Sequence, residues 1–290
     1  MSKFLDDINE FCKENTQNIF RVAIIEGDGE PEQTVLHKMR CMNSYSVAKA
    51  FTVAAIGMLY DDKKLRVEDK VTEILKDEIP EGMDPRWNKV SIEDAIKHRI
   101  GLSGAFLDID QKDPLTFTND YLKYMLTYPL MHEPGEESHY TDGAYYLLSR
   151  IVEKISGEPL DTFLWKRLFW PLAFKEVAWS RCPMGHPMGA TGLYIRSDDM
   201  VKLGAVYLNK GMWKGQRILS EEWVTMVFER GYEMAKKGAE GVYGKGGMLG
   251  QNLLIIPKKN LAVAWHGHHA KGEKALINFI AEYDMEANRE

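Results

Sequence analysis

The order of patterns along the chain predicts an α+β fold, with one sheet assembled from both termini and a helical region inserted between its halves. Two observations carry this. Apolar, strand-like runs joined by turns lie near both ends, and helical periodicity dominates from about Val71 to Met184. The expected division is residues 1–70 as the N-terminal part of an α/β domain, 71–184 as an all-helical domain, and 185–290 as the C-terminal part of the α/β domain.

The first segment, "MSKFLDDINEFCKEN", reads as an amphipathic, partly acidic helix. "FRVAIIEG" (Phe20 to Gly27) is β-branched and apolar, "GDGEPE" is a turn, and "QTVLHKMR" (Gln33 to Arg40) alternates like a second strand, so the pair reads as a hairpin. An apolar helix follows from Ser46. In "SIEDAIKHR", Ser91 with Asp94 three residues later forms a capping box. "GAYYLLSRIVEKISG" places Leu147, Leu148, Ile151 and Ile155 on one helical face and stops at Gly157, a C-terminal cap. "QNLLIIP", "KKN" and "LAVAWHG" read as strand, turn, strand, and "KALINFIAEYD" as a closing helix.

Composition narrows the function. The chain has 290 residues, 44% hydrophobic and 28% charged, as in an ordinary globular protein. A net charge of −6 and no run of basic residues longer than a pair argue against a nucleic-acid partner. The N-terminus lacks the apolar core and cleavage site of a secretory signal, and no apolar run approaches the roughly 20 residues of a membrane span. The three cysteines, Cys12, Cys41 and Cys182, have no metal-site spacing and cannot all pair. A reducing, cytoplasmic setting without membrane contact is expected.

The chemistry is expected at "NSYSVAKAFTVAAIG". Between Val47 and Tyr60 the only charged residue is Lys49. Burying an ammonium in apolar surroundings costs several kcal/mol unless it is paired or neutralised. Ser46 lies three residues earlier, on the same helical face. A serine hydroxyl needs a neighbouring base to become a nucleophile. Lysine ordinarily has a pKa of about 10.4, and lowering it by about 3, roughly 4 kcal/mol, brings it into the range of a working base. An apolar helix supplies that desolvation. The same tetrapeptide also fits a lysine that reaches solvent along its methylene stem.

The wider sequence settles on a family. "SYSVAKAFTVAAIGMLYDDKKLRVEDKVTEIL", "IKHRIGLSG", "EPGEESHYTDGAYYLLSRIVEKISGEPLDTFL" and "GATGLYIRSDDMVKLGAVYLNKGMWKGQRILSEEWV" resemble stretches of the serine β-lactamase and penicillin-binding-protein superfamily. The likeness runs from about Lys38 to Ala281 and is nearest the class C-like branch, which includes the family VIII carboxylesterases and related amide hydrolases. It implies an antiparallel sheet flanked by helices, an inserted all-helical domain, and a site between the two. It implies Ser46 as nucleophile, Lys49 as its basic partner, and Tyr140 of Tyr140-Thr141-Asp142 as second base or proton shuttle.

The resemblance is incomplete at two motifs. Asp142 stands where an asparagine is usual, and a carboxylate can only accept where an amide also donates. Asp142 therefore either meets substrate and Lys49, or serves, like Thr141, as a helix cap. The third motif has two alignments. One puts Lys245-Gly246-Gly247 in place, with Lys245 as the substrate-facing cation and the Met248 N–H beside that of Ser46 in an oxyanion hole. The other falls on Val242-Tyr243-Gly244, which has no cation. His266 and His268 share a strand face and are expected to line the site, or to end a strand in solvent. A histidine-rich metal pattern fails at Ala270 and Lys271, so neither metal nor cofactor is expected.

The leading reading is a serine hydrolase working through an acyl-enzyme on a small ester or amide. The alternatives are a β-lactamase or D-Ala-D-Ala carboxypeptidase, and a catalytically silent binding or sensing member.

Overall fold

The computed structural model describes residues 2–36, 41–268 and 273–285. Its strands are β1 (Ile19–Glu26), β2 (Glu32–Val35), β3 (Met42–Asn43), β4 (Val177–Trp179), β5 (Leu193–Ile195), β6 (Met212–Trp213), β7 (Gln216–Arg217), β8 (Ala235–Lys236), β9 (Tyr243–Gly247), β10 (Gln251–Ile256) and β11 (Leu261–Gly267). Its helices are α1 (Lys3–Glu14), α2 (Ala48–Asp61), α3 (Val71–Ile74), α4 (Ile92–Ile96), α5 (Tyr121–Thr127), α6 (Asp142–Ser156), α7 (Leu160–Leu164), α8 (Ser197–Leu208), α9 (Glu221–Arg230) and α10 (Glu273–Glu282). No described helix is long and apolar enough to cross a membrane.

Two compact units form. The first comprises residues 1–50, 169–178 and 193–290, and the second 51–168 and 179–192.

The first unit is built on a six-stranded sheet in the order β2-β1-β11-β10-β9-β8. All its neighbours are antiparallel, with Ala23 opposite Ala264 and Leu253 opposite Ala264 on the other side. The sheet is thus assembled from both ends of the chain. Of the expected second strand, 33–40, the described part is β2, which runs from Glu32 to Val35, and 37–40 lie outside the described residues.

Every residue of β10 and β11 is buried, because both faces of the sheet are covered. On one face, Val22, Ile24, Leu254, Ile256, Val263 and Trp265 pack with Phe4, Leu5, Ile8 and Cys12 of α1 and with Leu276, Ile277 and Ile280 of α10. On the other lies α8, in contact with β1, β10 and β11. Gly204 permits that approach, since a Cβ there would stand 2.9 Å from Leu253 Cδ1 and 3.1 Å from Ala262 Cβ.

The second unit centres on α6, which is buried from Asp142 to Val152 and packs on α3, α4, α5 and α7. The side chain of Thr141 caps it by accepting the Gly143 N–H, and Gly157 ends it in the left-handed conformation at φ 76°. The capping box of Ser91 and Asp94 starts α4 as its sequence requires.

Candidate active site

Ser46 lies in a 3₁₀ turn, Tyr45–Val47, immediately ahead of α2. The turn is tied down from several directions. β3 pairs with β5, and the Ser44 N–H donates to the Leu193 carbonyl at 2.8 Å. Asn43 Oδ1 accepts from the Tyr45 N–H at 2.8 Å. Tyr45 itself is left-handed, at φ 47°, a conformation that costs a non-glycine residue about 1–3 kcal/mol. The contacts on either side hold it there.

Lys49 follows in the first turn of α2, fully buried, while Ser46 is half-buried. Its Nζ donates to Ser46 Oγ at 3.1 Å. The serine-to-lysine spacing therefore brings the two polar atoms into hydrogen-bond contact.

The edge of β9 backs onto this turn. A Cβ at Gly247 would lie 2.5 Å from the Ser44 carbonyl oxygen and 3.2 Å from the Ser46 nitrogen, so only glycine fits. Gly247 belongs to the Lys245-Gly246-Gly247 alignment of the third motif, and that strand end is the part of β9 that meets the serine turn. Met248 comes next, and Gln251 Nε2 holds its carbonyl at 3.1 Å and that of Gly267 at 2.8 Å.

Lys245, expected as the substrate-facing cation, carries an ion pair with Glu233, and both side chains are nearly buried, at 12% and 8% exposure. Glu233 is presented by a left-handed backbone, φ 62°, two residues beyond Gly231, the cap of α9. His266 is also corrected. Its position in β11 alternates with Ala262 and Ala264 on the face covered by α8, where its Nδ1 lies 2.8 Å from Ser197 Oγ. Burial pushes its pKa down to about 3, with Asp198 opposing the shift. His268 is exposed, and its backbone is tied to Asn18 through an N–H···O bond of 2.9 Å.

Tyr140 and Asp142 belong to the second unit. Tyr140 is 47% exposed, and its ring packs on that of His98 at 4.3 Å. The Thr141 N–H donates to His98 Nδ1 at 3.2 Å, and the Ala105 N–H to the Tyr140 carbonyl at 2.9 Å. Asp142 is buried in the first turn of α6, its carboxylate within 4.8 Å of those of Asp108 and Asp110. Thr141, and not Asp142, is the cap.

A family model described as Beta-lactamase matches residues 40–281. The chain belongs to the beta-lactamase family of serine hydrolases. Among curated relatives, an N-acetylmuramyl-L-alanine amidase of Bacillus subtilis is 24% identical over 72% of this chain, and a lovastatin esterase of Penicillium rubens is 25% identical over 53%. The chain spans 63% of the amidase's length and 42% of the esterase's. Among solved structures, a penicillin-binding protein homologue from Caulobacter crescentus superposes with a TM-score of 0.73 at 13% identity, covering 95% of this chain and 96% of the other. EstCE1, a hydrolase with promiscuous acyltransferase activity, gives 0.70 at 14% identity, covering 97% of each. These structures share the beta-lactamase-type antiparallel fold.

Three positions around the family motifs, His98, Tyr45 and Glu233, were given no role by the sequence, and Gly247 was placed in the third motif without its contact to the serine turn. His98 anchors Thr141 and stacks on Tyr140. Tyr45, Gly247 and Glu233 shape the serine turn and occupy Lys245. His98 and Tyr45 lie in "IKHRIGLSG" and "SYSVAKAF", segments already matched to the family, whereas Glu233 had no such signal.

Proposed function

We propose that the protein hydrolyses a small ester or amide through an acyl-enzyme on Ser46. The observation that carries this reading is the hydrogen bond from Lys49 Nζ to Ser46 Oγ at 3.1 Å inside a buried, apolar helix start. Desolvation penalises the ammonium, so the amine can accept the hydroxyl proton as Ser46 attacks the substrate carbonyl. The Ser46 and Met248 N–H groups receive the developing oxyanion, which is the role the third-motif alignment gives them. Tyr140, by its place in the second motif, relays the proton to the leaving group. The acyl-serine is then released by water, with the same groups acting in reverse.

The substrate class follows from charge. A cation that receives a substrate carboxylate must be available, and Lys245 already holds Glu233. Asp142 adds an acceptor where an amide donor is usual. Both features favour uncharged esters and amides over β-lactams or D-Ala-D-Ala peptides. The relatives' names include an amidase and an esterase beside a penicillin-binding protein and D-alanyl-D-alanine carboxypeptidases, so the choice rests on the charges of this site. Three free cysteines fit the reducing, cytoplasmic setting.

The test is a panel of p-nitrophenyl esters, anilide amides and nitrocefin, run on the wild type and on Ser46→Ala. Ester turnover that vanishes in the variant supports the reading. Nitrocefin as the best substrate moves the assignment to a β-lactamase, and no turnover of any kind favours the silent member.

A further inference from the structure

We propose that His132, Glu137 and His139 form a binding site for a first-row divalent metal ion of the zinc class. The three lie in the loop between α5 and α6 of the second unit, and the sequence reading assigned no metal there. One donor atom from each lies within 4.8 Å of the other two. The imidazole rings of His132 and His139 are stacked, with centroids 3.6 Å apart and planes 13° from parallel. The rings therefore lie face to face with their in-plane lone pairs nearly parallel, and each must turn about its side-chain torsions for a nitrogen of both to meet one ion. Glu137 Oε2 stands 3.3 Å from His139 Nε2. That nitrogen is sealed from solvent and meets Glu137 as an ion-pair contact without a well-aligned hydrogen bond.

The spacing suits a small ion. Zinc bonds of about 2.0–2.2 Å place tetrahedral ligands about 3.3–3.6 Å apart, which small side-chain rotations would reach here. Two imidazoles and one carboxylate select zinc, copper or nickel over calcium or magnesium, and leave a fourth position for water. The backbone that carries the donors is already fixed. The Met131 and His132 N–H groups donate to the Gly101 carbonyl at 2.9 and 3.1 Å, Gly135 to Arg99 at 2.8 Å, and His139 to His98 at 2.9 Å. Binding therefore costs little ordering of the chain. Occupancy would clamp the loop whose last donor directly precedes Tyr140.

The experiment titrates the full chain with Co²⁺, followed by its visible ligand-field absorption, and then displaces it with Zn²⁺. The expected result is one Co²⁺ per chain, displaced by one Zn²⁺. His132→Gln, His139→Gln and Glu137→Gln should each weaken binding at least about tenfold, the least that loss of even a supporting ligand contact costs. His186→Gln should leave it unchanged. A second measurement needs no variant: Zn²⁺ should slow diethyl pyrocarbonate modification of His132 and His139 in the wild type, read by peptide mass. Co²⁺ binding by the wild type no tighter than by the His132→Gln/His139→Gln double variant would overturn the proposal, as would unchanged modification of both histidines.

Discussion

The Nζ of Lys49 lies 3.1 Å from the Oγ of Ser46, and the lysine is fully buried. A buried ammonium is a liability for folding and an asset for chemistry. Ser46→Ala should retain less than about a tenth of wild-type kcat, a loss of at least 1.4 kcal/mol in the barrier. Lys49→Met should lose nearly as much, and the double variant no more than either alone, because the pair acts as a unit. Lys49→Met should also unfold within about 1 kcal/mol of the wild type, or be more stable, since an apolar chain of similar length replaces a buried charge. Urea denaturation beside ester kinetics checks both halves.

Gly247 has no room for a side chain, because a Cβ would meet the Ser44 carbonyl at 2.5 Å. Gly247→Ala must push the serine turn and β9 apart. Overpacking of this kind costs about 1–3 kcal/mol. Misplacing the nucleophile by an ångström should lower kcat about 100-fold. Unchanged kcat in a folded variant would mean that this strand end does not shape the site.

The pair formed by Lys245 and Glu233 predicts selectivity. Glu233→Gln leaves a nearly buried ammonium without its carboxylate and should cost about 3 kcal/mol. With that carboxylate gone, Lys245 should raise kcat/KM for an ester bearing a carboxylate relative to its neutral analogue. An unaltered ratio would remove Lys245 from substrate recognition.

His266 predicts an acid-side instability. Its folded pKa is about 3, against an ordinary value of 6.5. The unfolded chain therefore takes up a proton below about pH 6.5, while the folded protein does not until about pH 3. Stability is lost as pH falls through that window, by up to about 1.4 kcal/mol per pH unit from this group. His266→Gln keeps an acceptor toward Ser197 and removes the titration. Its urea midpoint should gain on the wild type as pH drops from 6.5 to 4. Parallel curves would mean that His266 is not held neutral.

The sheet was legible because its ends announce themselves. β1, β10 and β11 are apolar runs bounded by turn residues, β2 is a short polar strand after a turn, and period two assigns their faces. Lys49 was legible as a lone charge in an apolar helix. The rest depends on partners distant in the chain. The left-handed Tyr45 is held by Asn43, Leu193 and β9, and no local signal announces it. The ion pair of Lys245 was not legible because Glu233 belongs to a different element, beyond the cap of α9. Alternation placed His266 on a defined face but could not say that α8 covers it.

The central claim is that Ser46 is the nucleophile and that Lys49 activates it. Incubation with a fluorophosphonate probe, followed by intact mass and peptide mapping, tests it most directly. One probe per chain on Ser46 is predicted, with none on Ser46→Ala and much slower labelling of Lys49→Met. Stoichiometric labelling at another residue, or ester hydrolysis that survives in Ser46→Ala, would contradict the account.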